Sequence, residues 1–379
     1  MPDVWVDRCS DYDPDRLRAI LTRRLDDILA GRIGAGTRVL IKPNLLLPAR
    51  PDTGILTHPA VVRVAAEYAL DRGARVQVAD SPAIGPFKRV LRVSGLADTL
   101  AGLDLEVSEF RETVRVRIGE PFGEVELARD AVAADLIINL AKLKTHAQMR
   151  LTLGVKNLFG CVVGLQKPEW HIRSGVDRDL FATLLVRICQ TLAPAATVVD
   201  GIIGLEGHGP GKGGTPRALG VLVSGADAPA VDVAIRRMLG LDPDQLPTAA
   251  AARRLGLLES DGGTVIGDWR EGEFADFKLP VLGPLTYGPP TVQRLMRRHL
   301  LQRPAVRPET CRVCGECVRY CPAEAITPAE TAVTFDYDRC IRCYCCIEIC
   351  PHGALRAIET PAGRGLRAVR GLFHRITAR

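Results

Sequence analysis

Nine of the chain's twelve cysteines fall between positions 311 and 350, and their spacing repeats. They read Cys311-x-x-Cys314-x-x-Cys317-x-x-x-Cys321-Pro322, then Cys340-x-x-Cys343-x-x-Cys346-x-x-x-Cys350-Pro351. Eight thiolates in two such runs suit two cubane [4Fe–4S] clusters. One tight loop supplies three thiolates to a cluster, and the fourth cysteine of each run ligates the other cluster. The pattern assigns Cys311, Cys314, Cys317 and Cys350 to one cluster and Cys340, Cys343, Cys346 and Cys321 to the other. Cys345 falls outside the pattern and is expected not to be a ligand. Zinc ribbons use separated C-x-x-C pairs rather than two runs of four ending in Cys-Pro. Disulfides are disfavoured in a cytosolic chain. Cys9, Cys161 and Cys189 are scattered and read as small buried hydrophobes.

A second set of chemically capable residues lies in the first 290 positions. Lysine is scarce, eight of the fifty basic residues, so each one invites a question about pKa tuning that arginine would not. Lys42, Lys142, Lys144 and Lys156 all fall in polar motifs. Lys42, Asn44, Lys144, Lys156 and Asn157 are candidates to hold an anion, together with His58, Asp80, Asp200 and Glu206 as polar ligands. Lys142 is a candidate catalytic cation. His146 and His208 are candidates for moving protons near neutral pH. Several have plainer readings. Lys42-Pro-Asn44 can be a turn, Asp80-Ser-Pro a helix cap, Lys156-Asn157 a cap, His58 an N-cap for which Thr57 is better suited, and Glu169 and His171 surface residues of a loop.

These residues need elements to carry them, and the sequence alternates strand-like and helix-like stretches. Strands are expected at Thr37–Ile41, Arg75–Ala79, Asp135–Leu140, Thr197–Val199 and Ala218–Val223. Helices are expected from Thr57-His58-Pro59 to Leu70 and over Leu180–Leu192. Four of the strands end in polar groups: Lys42/Asn44, Asp80, Lys142/Lys144/His146 and Asp200. Open α/β sheets bind ligands in the crevice outside the carboxyl ends of their strands. The glycine-rich segment 204–214 contains G-x-G-x-x-G, but a strand follows it rather than a helix, and it is not a Walker A loop. It reads either as an anion-holding lid or as a flexible surface loop. The expected fold class is therefore α/β: a large, mostly parallel-sheet domain (1–290), a basic linker (291–308), a small α+β two-cluster ferredoxin domain (309–360) and a basic tail (361–379).

Taken in order, Val39-Leu-Ile-Lys42-Pro-Asn44, Thr57-His-Pro59, Asp80-Ser-Pro82, Asn139-x-x-Lys142-x-Lys144-Thr-His146, Thr152-Leu-Gly-Val-Lys156-Asn157-Leu-Phe-Gly160 and Asp200-Gly-Ile-Ile-Gly-Leu-Glu206-Gly form a close match. The set resembles the domain of unknown function 362 family (DUF362) over roughly residues 4–290. Members often carry, as this chain does, a C-terminal two-cluster ferredoxin module. The resemblance implies an architecture and an iron–sulfur electron path, with no substrate attached to it.

Composition limits the partners. The chain has 379 residues, 47% hydrophobic and 25% charged, with a net charge of +6, which fits two or three folded domains rather than disorder. The positive excess sits in 291–308 and 360–379, each with five arginines and no acid, so a broad nucleic-acid face is not expected. An acidic ferredoxin-type electron partner is expected instead. The segment 366–376 reads either as a basic amphipathic helix, suited to an anionic membrane surface, or as a frayed tail. The N-terminus has no basic, then apolar, signal segment, so a cytoplasmic location is expected. The leading functional reading is a ferredoxin-linked oxidoreductase acting on an anionic small molecule, with any further cofactor unidentified. The alternatives are an electron relay or binding subunit, and non-redox chemistry at a metal site with structural clusters.

Overall fold

Eleven consecutive buried residues, Leu136–His146, form the strand around which the large domain is organised. The computed structural model describes residues 2–164, 166–174, 177–258, 262–282, 290–365 and 368. The main path of the sheet runs Thr264–Gly267, Asp3–Arg8, Gly214–Gly225, Ala196–Gly207, Leu136–His146, Arg38–Lys42, Arg75–Asp80, Glu106–Glu109. From Ala196–Gly207 to Glu106–Glu109 every pairing is parallel, and Gly214–Gly225 is antiparallel to both its neighbours. Apolar, β-branched runs such as Val39-Leu-Ile41 and Leu136-Ile-Ile138 suit strands covered on both faces. Pro14–Leu29 and Pro59–Leu70 pack with Val39, Ile41, Ile138 and Leu140 on one face. Arg178–Leu192 and Pro247–Arg254 pack with Leu40 and Ile137 on the other.

Two strands run further than their apolar stretches suggest. The expected Asp135–Leu140 continues to His146, and the expected Thr197–Val199 begins at Ala196 and continues to Gly207. They extend because they keep a partner: Lys142 lies opposite Asp200 and Lys144 opposite Leu205, with a register shift between. The period of two then puts Lys142, Lys144 and His146 on the same face as Ile138 and Leu140. The glycine-rich segment is consequently a hairpin tip between Ala196–Gly207 and Gly214–Gly225. It packs closely: a Cβ on Gly211 would lie 2.6 Å from the Glu348 carbonyl oxygen, so it is not a loose surface loop.

The C-terminal module begins earlier than expected. Arg303–Val306, inside the segment read as a linker, pairs antiparallel with Leu355–Ile358, and a helix covers Pro290–His299. Ile326–Pro328 pairs with Val333–Phe335. The internal repeat shows in the backbone, because Val313 and Arg342, Gly315 and Tyr344, and Glu324 and Gly353 occupy equivalent places and all have positive φ. Tail residues 366, 367 and 369–379 lie outside the described residues, as does the amphipathic helix expected there.

Candidate functional site

The strand ends carry charges, and most of these charges are already paired. Lys42 Nζ lies 2.8 Å from Asp80 Oδ1 with both side chains buried, and it donates to the Pro43 carbonyl at 2.7 Å. Asp80 also accepts the backbone N–H groups of Leu45 and Ser81, each at 2.8 Å. Gly160 closes over this pair. A Cβ there would meet Asp80 Oδ1 at 2.5 Å and Lys42 Nζ at 2.7 Å, which is why the Lys156–Gly160 motif ends in glycine. Lys142 Nζ donates to Asp200 Oδ2 at 2.7 Å and to the Tyr12 hydroxyl at 3.1 Å, and Tyr12 donates to Asp200 Oδ1 at 2.9 Å. Lys142 and Asp200 are fully buried and do not line the cleft described below. His58 caps Pro59–Leu70 by accepting the Ala60 N–H at its Nδ1, and its ring stacks on Tyr12 at 3.6 Å. Thr57, the expected cap, instead accepts the Asn44 N–H and donates to the Leu140 carbonyl.

Beyond these pairs lies a cleft between the sheet and the iron–sulfur module. A chain of side-chain amides leads into it: Asn157 Nδ2 donates to Asn139 Oδ1, Asn44 Nδ2 donates to Asn157 Oδ1, and Lys144 Nζ donates to Asn44 Oδ1 at 2.7 Å. Lys144 also donates to the Ile55 carbonyl, so its partners are all neutral. Burial pushes its ammonium down to about 7. Lys167 donates to the Ser81 carbonyl and hydroxyl, and burial pushes it down to about 8. Lys156 sits over the rings of Phe159 and Phe181 at 5.4 and 5.7 Å and has no ion pair or hydrogen bond among the described residues. Burial lowers its pKa, against the pull of Glu348. Three lysines without carboxylate partners, Lys144 and Lys156 buried and Lys167 half-buried, thus face one cleft, an environment that favours an anion.

His146 bridges the two domains. Its Nδ1 accepts the N–H groups of Gln148 and Met149, so the ring proton sits on Nε2, which lies 2.5 Å from Glu348 Oε1 of the module. The approach is off the line of a straight hydrogen bond. Burial pushes His146 down to about 4, with Lys156 adding to this and Glu348 opposing it. His208 is exposed on the hairpin tip and does not line the cleft. Glu206 is structural, accepting the Lys278 N–H and pairing with Arg217 at 3.2 Å.

The cleft also holds residues that the sequence reading passed over as site residues. Lys167 could have been found from the scarcity of lysine. His171, expected on a surface loop, is buried in the helix Gln166–Ser174 with an unpartnered Nδ1. Tyr320, Cys345 and Glu348 come from the iron–sulfur module, and nothing in the spacing of the cysteines shows that they turn toward the sheet.

The cysteines fit the clusters assigned to them. Cys311, Cys314, Cys317 and Cys350 line one small cavity. Burial and its three quartet partners push the Cys317 thiol up to about 12. Cys321 is raised by burial and by Cys343 and Cys340, its expected quartet. Such mutual repulsion among thiolates is relieved by iron. Cys321 Sγ accepts the Ala325 N–H and Cys350 Sγ the Ala354 N–H, the kind of hydrogen bond that tunes cluster thiolates. Among the described residues no three His, Cys, Asp or Glu side chains converge closely enough to hold a single metal ion.

An α/β domain with a cleft at its strand ends, closed by a module with two cubane-type cysteine quartets, defines an iron–sulfur electron-transfer protein. The chain belongs to the domain of unknown function 362 family, whose model matches residues 39–237, and a 4Fe-4S dicluster domain matches 303–351. It is 38% identical over 301 residues to a Synechocystis sp. protein named as thylakoid-associated, covering 78% of this chain and 94% of that one. It is 34% identical over 70 residues to AegA of Escherichia coli, provisionally named an oxidoreductase, covering 18% of this chain and 10% of that one. A lactate racemase apoprotein structure from Thermoanaerobacterium thermosaccharolyticum overlays with a TM-score of 0.43 at 12% identity, over 63% of this chain and 57% of that one. No helix among the described residues is long and apolar enough to cross a membrane.

Proposed function

We propose that this chain is a ferredoxin-linked oxidoreductase that reduces an anionic small molecule bound in the cleft. The observation that carries this reading is the composition of the cleft wall. Lys144, Lys156 and Lys167 stand on the sheet side, while Tyr320 and Cys345, next in sequence to the cluster ligands Cys321 and Cys346, stand on the other. Bound [4Fe–4S] clusters supply one-electron transfer. Lys156 holds the anion, since it is the lysine with no polar partner. Lys144 and Lys167, at about 7 and 8, are poised to give up protons at neutral pH. His171 offers an unused ring nitrogen to the ligand.

The test uses the full chain, purified without oxygen with both clusters in place. Mass spectrometry of the released small molecules is expected to find an organic anion in stoichiometric amount. Lys156→Met should lose that anion while both clusters still reduce, as followed by electron paramagnetic resonance. An empty wild-type protein, with a Lys156→Met variant that passes electrons as well as the parent, overturns the proposal in favour of an electron relay.

A further inference from the structure

The two cysteine quartets face different surroundings. Cys340, Cys343 and Cys346 are each less than a tenth exposed, with Cys321 half-buried, and the helix Cys345–Ile349 that carries Cys346 forms part of the cleft wall. In the other quartet Cys314 is exposed to solvent. Electron tunnelling needs proximity, so the Cys311 quartet is the side that an external carrier can approach.

The surface around that quartet is basic. Arg312 and Arg356 are exposed and have no ion-pair partner among the described residues. Arg307 reaches the Gly353 carbonyl, and the large domain's hairpin adds the exposed Lys212 beside it, where a Cβ on Gly353 would lie 2.6 Å from the Lys212 carbonyl oxygen. Arg356 and Arg307 also lower the pKa of His208, after burial, which places the hairpin tip within their field. Two exposed acids here, Glu309 and Glu330, have no ion pair among the described residues, while Glu316 is taken by Arg319 at 2.8 Å. Four cations against two free carboxylates, next to an exposed cluster cysteine, favour a negatively charged partner.

We infer that Arg312, Arg356 and Lys212 form the docking face for an acidic, small one-electron iron–sulfur carrier protein, which delivers electrons at the Cys311 quartet. The reduced carrier loses one electron here and this chain gains it, with no bond made or broken. The face is composite, since Lys212 belongs to the large domain, so the carrier recognises the closed arrangement of the two domains. This inference does not depend on what the cleft binds, and its test is a binding measurement that cleft occupancy leaves untouched.

The probe is a recombinant acidic [2Fe–2S] ferredoxin, oxidised, titrated calorimetrically against the full oxidised holoprotein at several salt concentrations. The wild type should bind it with an affinity that falls as salt rises. Arg312→Glu with Arg356→Glu should weaken binding at low salt by about tenfold or more and flatten the salt dependence. Lys212→Glu should weaken it in the same direction. The visible spectrum of the clusters checks that each variant is intact. Retention of wild-type affinity and salt dependence by the double variant or by Lys212→Glu would overturn the inference. So would loss of binding in Arg298→Glu instead, a residue paired at 3.9 Å with Asp338 elsewhere on the module.

Discussion

Lys42 and Lys156 are both buried lysines, and their partners give them opposite roles. Lys42 has Asp80, so its charge belongs to the fold. Removing one member of a buried pair strands the other, and Lys42→Met should cost about 3–5 kcal/mol in denaturant unfolding. Lys156 has only aromatic faces among its near contacts. Lys156→Met should leave unfolding midpoints unchanged or higher, yet weaken binding of the cleft anion about 10–100-fold, the range of a charge-assisted hydrogen bond. The lysines at about 7 and 8 also predict a pH effect. Their folded pKa values lie below the unfolded value, so the unfolded chain binds more protons in that window, and the ligand-free protein gains stability as pH rises from about 7 toward 10. An anion favours the charged lysines, so its binding at pH 8 should take up protons and weaken as pH rises further. Calorimetry in two buffers of different ionisation enthalpy measures that uptake. The scarcity of lysine made these residues visible in the sequence. It did not show which were paired, because Asp80 and Asp200 arrive from other strands.

At the scale of elements, the strands read from the sequence began within a residue of their observed starts except at Gly214–Gly225, while several of their ends were missed. Pro59–Leu70 and Arg178–Leu192 follow from their caps and apolar periodicity. The extension of Leu136–His146 past Leu140 depends on tertiary pairing, which an apolar run cannot announce. The same holds for the hairpin tip. Its glycines read as freedom of movement, whereas Gly211 is there because the Glu348 backbone lies against it. Gly211→Ala should therefore push the helix Cys345–Ile349 away from the sheet. Faster hydrogen exchange in residues 345–349, with exchange in Leu136–Leu140 unchanged, is the expected signature. The cysteine spacing, by contrast, was fully legible, since loop ligation of a cubane leaves little latitude in sequence.

In the whole molecule, the His146–Glu348 contact and the shared cleft make the two domains a working unit. Cys343, Cys346 and Cys350 are assigned as cluster ligands on and beside the helix that carries Glu348, so cluster loss should release that helix from the large domain. Chelator treatment of the full chain under oxidising conditions is expected to raise hydrogen exchange at Gln148 and Met149. Their N–H groups are held by His146. Unchanged protection there after cluster loss would show that His146 does not depend on the module.

A cleft whose wall is divided between two domains also constrains inheritance. A ferredoxin module grafted from another protein would bring eight cysteines in the right order, and with them a route for electrons. A module without Tyr320, Cys345 and Glu348 would lack this side of the cleft wall and leave His146 without its facing carboxylate. If the proposed function holds, a hybrid whose module lacks these three residues is expected to pass electrons without binding the cleft anion.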